Sequence, residues 1–432
     1  MKVLMFGWEF PPHISGGLGT ASYGLTKGMS FIPDLDVLFV VPKAYGDEDK
    51  TNVDILGAND ITVNHKKLKF SSFKKSLDYI EVSSQLIPYV TEEEFWEYTR
   101  RKTEGGSYFL DINKQGKFDF TGKYGASLMQ EIKNYAIVAN LIAQENEFDI
   151  IHAHDWLTYP AGMAAKEASG KPLVVHVHAT DFDRSGGNVN PTVFKIEKEG
   201  LDAADKVITV SNLTRNIVIE KYGIPAEKVV TVYNAVEPLN EEQKRTLKKG
   251  VDEKIVTFLG RITMQKGPEY FVEVAHKVLQ RSDNVRFVMA GSGDMMEKVI
   301  RRAAQLKIAD KFHFTGFLKG KEVFEMLAMS DLYVMPSVSE PFGISPLEAM
   351  QSNVPVLISH QSGVSEILTY ALKTNFWDVD AMADAIYGVI NYPSLAKMFS
   401  KYGKEEVDSL KWEHSARVVK GVYDSVLKDF NK

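Results

Sequence analysis

Residues 331–358, DLYVMPSVSEPFGISPLEAMQSNVPVLI, hold two short apolar runs separated by a turn-rich loop and a helical pattern. The runs Asp331–Met335 and Val354–Ile358 predict buried strands, and Pro346–Ser352 predicts the helix between them. Parallel strands need a long crossover connection, which is usually a helix. This strand–helix–strand unit therefore predicts an α/β fold with a parallel sheet.

The same alternation continues along most of the chain, starting with the apolar N-terminus, Met1–Phe6, which we interpret as a core strand. Before residue 236 the other predicted strands are Val37–Val41, Asp149–Ala153, Leu173–His178 and Lys206–Val210, and the helices are Trp156–Ser169, Pro191–Ala203 and Asn212–Tyr222. After residue 250 the further strands are Lys254–Leu259, Val285–Ala290 and Lys311–Phe314, and the helices are Pro268–Arg281, Asp294–Leu306 and Lys321–Met329. Two such series predict two doubly wound, Rossmann-like domains.

The break between the domains is predicted near the polar, turn-prone segment 237–242. We assign residues 1–236 to the first domain, 237–408 to the second, and 409–432 to a C-terminal helix. Residues 50–125 interrupt the alternation with a polar, irregular stretch whose aromatic residues are Phe95, Trp96, Tyr98, Tyr108 and Phe109. A segment of this length between core strands is either functional, as a lid or acceptor platform, or a surface excursion with its own small core.

Composition narrows the class of protein. The 432 residues carry a formal net charge of −6, which argues against nucleic acid or an anionic membrane as the main partner. No apolar run approaches the roughly 18 residues needed to span a bilayer, so we expect no integral membrane segment. The absence of cysteine excludes disulfides, thiolate nucleophiles and cysteine-based zinc sites, and fits a cytoplasmic protein.

Three polar clusters in the first domain follow predicted strands. Gly16, Gly17, Leu18 and Gly19 lie between the first strand and a helix, where backbone amides can approach an oxygen anion. His154-Asp155 and His178 end two other strands, and open parallel sheets bind ligands at that edge. His152 and His154 are two residues apart and share one face of a strand, so a metal site there stays open.

Two clusters in the second domain carry charge. Arg261 and Lys266 lie in a loop bounded by glycines and can clamp a diphosphate, since Arg offers two parallel hydrogen bonds and Lys a point charge. Glu340 and Glu348 bracket a turn and a helix start. The amides of Gly343, Ile344 and Ser345 between these carboxylates are available as donors. Together these clusters predict a site for a nucleotide diphosphate.

At these residues the chain resembles the GT-B glycosyltransferases of families four and five, the latter being the glycogen and starch synthases. The strongest element is Glu340-Pro-Phe-Gly-Ile-Ser-Pro-Leu-Glu348, which matches the Glu-x7-Glu pattern of these enzymes. The resemblance implies two Rossmann-like domains facing each other across a cleft. It also implies transfer of a sugar from a nucleotide diphosphate with retention of anomeric configuration, without a metal or other cofactor, and a last helix, opened by Lys411-Trp412, that crosses back onto the first domain.

The resemblance also assigns roles. Arg261 and Lys266 would hold the donor diphosphate, Glu340 the hydroxyls of the transferred sugar, and Glu348 the ribose. His154-Asp155-Trp156 resembles the His-Asp-Trp of the glucan synthases, which places Asp155 near the reacting sugar and His178 against it. We count Asp155, His178, Arg261, Lys266 and Glu340 as catalytic. Further donor-site assignments are His154, Asn234, Gly291 and Gly293.

Differences between this chain and the family pattern leave the identity of the substrate open. Glucan synthases usually carry Lys-x-Gly-Gly-Leu in the first loop, and this chain has Ile14 in place of the lysine, which weakens ADP-glucose as donor. We expect glucosyl transfer from ADP-glucose or UDP-glucose to an α-glucan or another hydroxyl acceptor. The alternatives are a family-four hexosyltransferase for envelope polysaccharide or glycolipid, a nicotinamide oxidoreductase, which should carry GxGxxG, and a non-catalytic glycan- or nucleotide-binding module. The oligomeric state stays open.

Overall fold

The computed structural model describes the whole chain apart from residues 15, 64–112, 114, 126, 241–248 and 432. Within the described residues, thirteen strands form two sheets, and thirteen α-helices cover them. Every strand pair in both sheets is parallel. The predicted α/β class with two doubly wound domains is confirmed.

The first sheet has seven strands in the order β3-β2-β1-β4-β5-β6-β7. Its strands are β1 Lys2–Phe6, β2 Asp36–Val41, β3 Asp54–Gly57, β4 Ile150–His154, β5 Leu173–Val177, β6 Lys206–Thr209 and β7 Val229–Thr231. The helices of this part are α1 Gly17–Ser30, α2 Leu128–Glu145, α3 Tyr159–Ser169, α4 Asp181–Ser185, α5 Pro191–Ala203 and α6 Asn212–Tyr222. Strands β4 and β5 are buried along their whole length, as expected when helices cover both faces of a sheet.

The second sheet has six strands in the order β10-β9-β8-β11-β12-β13. Its strands are β8 Lys254–Leu259, β9 Val285–Ala290, β10 Phe312–Gly316, β11 Leu332–Met335, β12 Val356–Ser359 and β13 Leu372–Thr374. The helices are α7 Pro268–Leu279, α8 Met296–Gln305, α9 Lys321–Met329, α10 Ser345–Gln351, α11 Val379–Asn391 and α12 Pro393–Val407. No helix among the described residues is long and apolar enough to cross a membrane.

In each sheet the strand order runs outward in two directions from one point, the topological switch point. In the first sheet this switch lies between β1 and β4, and in the second between β8 and β11. Loops that leave neighbouring strands on opposite sides of such a point open a crevice at the carboxyl edge of the sheet. The loops after β1, β4, β8 and β11 hold most of the predicted site residues.

The last helix, α13 Trp412–Phe430, returns from the second sheet and packs against α1. Trp412 lies so close to α1 that a Cβ on Gly24 would come within 2.2 Å of the indole, so only glycine allows this approach. Tyr423 of α13 is fully buried and its hydroxyl lies 2.5 Å from His152 Nδ1 in β4. The C-terminal helix therefore completes the core on one face of the first sheet.

Most element positions agree with the sequence predictions, and the differences have local causes. The helix predicted from Trp156 begins at Tyr159, because Asp155 takes a left-handed conformation with φ 64° and the chain turns before the helix. Strand β3 lies inside the stretch 50–125 that we predicted to be irregular. The five aromatic residues singled out in that stretch lie outside the described residues. The domain limits at 236/237 and 408/409 stay predictions.

Candidate active site

Lys266 and Glu340 meet at the carboxyl edge of the second sheet. Lys266 ends a short 3-10 turn after β8, Glu340 follows β11, and Lys266 Nζ forms an ion pair with Glu340 Oε2. Glu340 is only 6% exposed, and its amide donates to the Gln361 carbonyl over 2.9 Å. A buried carboxylate and a half-buried ammonium therefore lie side by side. In this position the ammonium could bind a phosphate and the carboxylate could accept from sugar hydroxyls.

The loop that carries Arg261 and Lys266 packs against the loop after β9. The Ile262 amide donates to the Ser292 carbonyl over 2.9 Å, and Arg261 lies on the exposed side. At Gly291, φ is 142° and a Cβ would lie 1.8 Å from the Gly260 carbonyl oxygen. A Cβ on Gly293 would lie 2.4 Å from the Ile262 carbonyl oxygen. The close contact between the two loops thus explains why positions 291 and 293 are glycine. Contact of Gly291 and Gly293 with a nucleotide stays a prediction.

Helix α10 begins beside Glu340. Gly343 precedes it, Ile344 caps it, and Ser345 is its first residue, with Ser345 Oγ 2.8 Å from the Tyr333 hydroxyl. Glu348 lies in the first turn, and burial raises the pKa of its carboxyl to about 7. A carboxylate in this setting gains from any hydroxyl groups that donate to it, because such bonds favour the charged form. The assignment of Glu348 to ribose hydroxyls stays a prediction.

Asp155 follows β4 and is bonded within the protein through both carboxylate oxygens. Oδ1 accepts from the amides of His178 at 3.2 Å and Ala179 at 3.3 Å, and Oδ2 accepts from Arg184 Nη2 at 2.8 Å. The residue is 5% exposed. These contacts fix the loop after β5, and the position of Asp155 near the reacting sugar stays a prediction.

Arg184 is the centre of a buried ionic network behind this loop. Its guanidinium bonds Asp155 on one side and, over 3.1 Å, Glu197 Oε1 on the other, with all three side chains 8% exposed or less. The Tyr222 hydroxyl also donates to Glu197, yet burial raises the pKa of that carboxyl to about 8. The network gives the loop that carries His178 a rigid base.

Four imidazole rings stack on one face of strands β4 and β5: those of His152, His154, His176 and His178. Their centroids lie 4.3 Å apart for the first two and 4.4 Å apart for the last two. His154 Nδ1 lies 2.9 Å from His178 Nε2. Burial lowers the pKa of His152 and His178 to about 3, and it also lowers the pKa of His154 and His176 well below the usual value. The stack is therefore neutral at physiological pH.

The stack has the residue types of a metal site but not its geometry. One nitrogen from each of His152, His154 and His176 lies within 4.8 Å of the others. The rings of His152 and His154, however, are only 14° from parallel. A ligating lone pair lies in the ring plane and points at a metal about 2.0–2.1 Å away. Lone pairs of stacked, nearly parallel rings cannot converge on one ion, so we do not assign a metal here.

The two halves of the site touch across the cleft. Ser339 Oγ, next to Glu340, donates to Asp183 Oδ1 of α4 over 2.6 Å. Asp183 also accepts from the amide and hydroxyl of Thr180, two residues after His178. Beside this contact, Glu366 of the second domain accepts hydrogen bonds from the first two amides of α6. The structure thus brings His178, Glu340 and Lys266 to one region between the carboxyl edges of the two sheets.

Comparison with known families identifies the class of protein. The family described as "Glycosyltransferase Family 4" matches residues 124–238, and "Glycosyl transferases group 1" matches residues 240–406. The protein is a glycosyltransferase of the GT-B fold. It is 27% identical to an uncharacterised glycosyltransferase of Methanocaldococcus jannaschii, over 98% of both chains.

Two further relatives extend the comparison. A glycogen synthase of Mycobacterium tuberculosis is 25% identical over 64% of this glycosyltransferase and 68% of the relative. The solved structure of a sucrose-phosphate synthase from Thermosynechococcus elongatus superposes with a TM-score of 0.66 at 17% identity, covering 99% of each chain. The last likeness shows the shared fold.

The glycine loop of the glycosyltransferase leads into the first helix. Gly16 caps α1, and Gly17, Leu18 and Gly19 form its first turn. The Gly19 amide already donates to the buried carboxylate of Glu9 over 3.2 Å. The Gly19 amide is therefore bonded within the protein in this structure, and the assignment of Gly16, Gly17, Leu18 and Gly19 to anion binding stays a prediction.

Sequence reasoning missed several residues that shape this glycosyltransferase site. Asp183 and Ser339 join its two halves, Arg184 holds Asp155 behind the loop after β5, and Glu9 occupies an amide of the glycine loop. The pattern Thr180-x-x-Asp183 is a readable helix cap, and the structure forms it. No local pattern marks Arg184, because its carboxyl partners lie 13 and 29 residues away along the chain. Asn234, assigned to the donor site, is 8% exposed in the connection between the sheets.

Proposed function

We propose that this enzyme transfers a hexosyl group, most simply glucosyl, from a nucleotide-diphosphate sugar to a hydroxyl acceptor, with retention of configuration. The observation that carries the proposal is the Lys266–Glu340 pair at the switch point of the second sheet, opposite the loop that holds His178. An ammonium beside a carboxylate matches a donor that presents phosphate next to sugar hydroxyls.

Lys266 and Arg261 would bind the diphosphate and stabilise the negative charge that grows on it as the sugar leaves. Preorganised charge of this kind is commonly the largest contribution to rate acceleration. Because the two side chains supply positive charge, the reaction needs no divalent ion. On binding, the donor phosphate would share Lys266 with Glu340, which leaves Glu340 oxygens to accept from the sugar hydroxyls.

The transition state of glycosyl transfer resembles an oxocarbenium ion. Two carboxyl groups described at the cleft, those of Asp155 and Glu340, are not placed as nucleophiles, since Asp155 is bonded through both oxygens and Glu340 is paired with Lys266. We therefore propose that the acceptor hydroxyl attacks from the same face that the diphosphate leaves. Glu348 would hold the ribose, remote from the bond that breaks.

The acceptor we favour is an α-glucan, with ADP-glucose or UDP-glucose as donor. His154-Asp155-Trp156 and the likeness to a glycogen synthase support it. The second candidate is a hexosyltransferase for envelope polysaccharide or glycolipid. Ile14 favours this alternative, because it stands where glucan synthases usually have lysine.

The test is a screen of ADP-, UDP- and GDP-sugars, with and without glycogen, that measures released nucleotide diphosphate and labelled product. We expect glycogen-dependent release from a glucose donor and unchanged rates after EDTA treatment. Activity that disappears with chelator and returns with magnesium or manganese would show that Arg261 and Lys266 do not form the clamp. Turnover only with a lipid or non-glucan acceptor would favour the second candidate.

A further inference from the structure

The stacked histidines of β4 and β5 are not accounted for by the proposed reaction. His178 is partly exposed at the carboxyl edge of the first sheet, whereas His154 and His176 lie behind it at 0% and 2% exposure. One of the two nitrogens of His178, Nε2, faces His154 Nδ1 at 2.9 Å. The other ring nitrogen, Nδ1, is the one that a ligand in the cleft could meet.

A single proton lies between His154 and His178, because both rings are neutral. It is carried either by His154 Nδ1 or by His178 Nε2, and the choice fixes the protons of both rings. If His178 carried it, His154 would hold its own proton on Nε2. That nitrogen is buried and has no hydrogen-bond partner within the described part of the chain.

The two arrangements differ in what they leave unpaired. With the proton on His154 Nδ1, the unpaired group is only a lone pair on His154 Nε2. With the proton on His178 Nε2, the unpaired group is the buried N–H at His154 Nε2. Buried donors without acceptors are rarer in proteins than unused acceptors. The arrangement with His154 as donor is therefore favoured, and His178 Nε2 accepts.

From this geometry we infer that His154 is a positioning residue that fixes the tautomer of His178, with the His178 proton on Nδ1, aimed at the cleft. This inference rests on the proposed function for its substrate: Nδ1–H would donate to a hydroxyl oxygen of the transferred sugar. The partner of one imidazole nitrogen commonly decides what the other can do. The Asp155 contacts to the amides of His178 and Ala179 hold the same loop in place.

The third ring of the stack, that of His176, contacts His178 without a hydrogen bond. His176 covers His178 with ring centroids 4.4 Å apart, and both its nitrogens lack partners in the described residues. It therefore supports the ring of His178 by packing, without a hydrogen bond to it. Replacing His176 by Phe keeps that packing and serves as the matched control for changes at His154.

The first measurement is the tautomer itself. In protein labelled with ¹⁵N-histidine and free of substrate, long-range ¹H–¹⁵N spectra distinguish the protonated ring nitrogen from the unprotonated one. The His178 signals are assigned by their loss in His178→Asn. We expect a protonated Nδ1 and an unprotonated Nε2 at neutral pH. A protonated Nε2 would overturn the inference whatever the enzyme transfers.

The second measurement compares two replacements of His154 in steady-state kinetics. His154→Asn keeps an N–H donor near the position of Nδ1, whereas His154→Phe keeps the stacked ring and removes the donor. We expect kcat to fall roughly tenfold or more in the Phe variant, the loss of about one hydrogen bond in the transition state. The Asn variant should keep most of kcat, and His176→Phe should match the wild type.

The reverse order, with Phe more active than Asn, would show that His154 acts only by filling space, and would overturn the inference. Failure of the proposed function has a different signature. If the spectrum shows Nδ1–H but no nucleotide sugar is turned over, the assigned contact with a sugar hydroxyl falls, while the tautomer fixed by His154 stands.

Discussion

The two switch points of this glycosyltransferase are built from the same strand order but from opposite chemistry. At the first, between β1 and β4, the side chains are neutral stacked imidazoles, and Arg184 is bonded to the buried carboxyl groups of Asp155 and Glu197 below the surface. At the second, between β8 and β11, Lys266 and Glu340 form a pair at the cleft, and Glu348 lies beside it.

The difference indicates a division of work between the domains. The second domain offers charge to a ligand, which suits a nucleotide diphosphate. The first domain offers hydrogen-bonding groups held in fixed positions, which suits orientation of a sugar and its acceptor. Changes in the first domain should therefore act through stability and geometry, and changes in the second through binding and catalysis.

The largest expected effect comes from breaking the buried network. Arg184→Met leaves two buried carboxyls without their cation, and removing one partner of a buried ion pair typically costs about 3–5 kcal/mol of stability. Denaturant unfolding measures this change. The matched control is Arg281→Met, because Arg281 pairs with Asp384 at the surface, where both side chains are more than half exposed, and such pairs contribute about 0–1 kcal/mol. Equal losses in both variants would show that the buried network of Arg184 contributes no more to stability than a surface ion pair.

The next effect in size concerns Lys266. Lys266→Ala removes a charge-assisted contact with phosphate, typically about 1.5–3 kcal/mol, so kcat/KM should fall at least about tenfold. The fold should persist, which circular dichroism and the melting temperature check. Lys277→Ala is the control, since Lys277 pairs with Asp380 on the surface. A folded Lys266→Ala enzyme with unchanged kcat/KM would remove Lys266 from the site.

The smallest effect concerns Glu348, whose pKa burial raises to about 7. The ionised carboxylate should accept from the ribose, so donor KM should fall as pH rises towards 7 and level off above it. Glu348→Gln should raise donor KM, lose this pH dependence and leave kcat nearly intact, because a contact remote from the breaking bond binds ground and transition states about equally. Glu340→Gln should instead lower kcat strongly. Steady-state kinetics from pH 5.5 to 8.5 measure both, and the opposite pattern would exchange their roles.

The contribution of Glu348 to folding stability should fall as pH rises, whereas its contribution to donor binding should increase. A carboxyl whose pKa is raised in the folded state binds more protons there than in the unfolded chain, so its contribution to stability declines as pH rises from about 4.5 to 7. Glu348→Gln removes that penalty. Its melting temperature should therefore exceed that of the wild type at pH 8 and match it near pH 4.5. Burial lowers the pKa of all four stacked histidines, so they stay neutral in the folded state over this range and affect the wild type and the variant equally.

Sequence patterns were sufficient to predict the two sheets. Buried parallel strands are continuous apolar runs, and the predicted limits of β8, β9, α5 and α6 agree with the structure. Limits were less accurate where a local turn decides them, as at Asp155. The strand β3 was missed because it is only four residues long, with one buried residue.

The predicted site residues reach the right edge of each sheet, since motifs after β4, β5, β8 and β11 are brought there by topology alone. Their partners could not be predicted. The engagement of Asp155 by Arg184, and of the Gly19 amide by Glu9, depends on side-chain packing between distant segments, which no local spacing encodes. The roles of the donor-site residues stay predictions.

The position of α13 has a consequence for the order in which the protein can be made. Strand β1 leaves the ribosome well before Trp412 and Tyr423, which close its face of the sheet. At a synthesis rate of about 5–20 residues per second, roughly 10–40 seconds pass between the synthesis of β7 and that of α13. The second domain can fold on its own during this interval. A nascent chain that stops before residue 412 would expose the face where α1 and the histidine stack lie, and would be a natural substrate for chaperones.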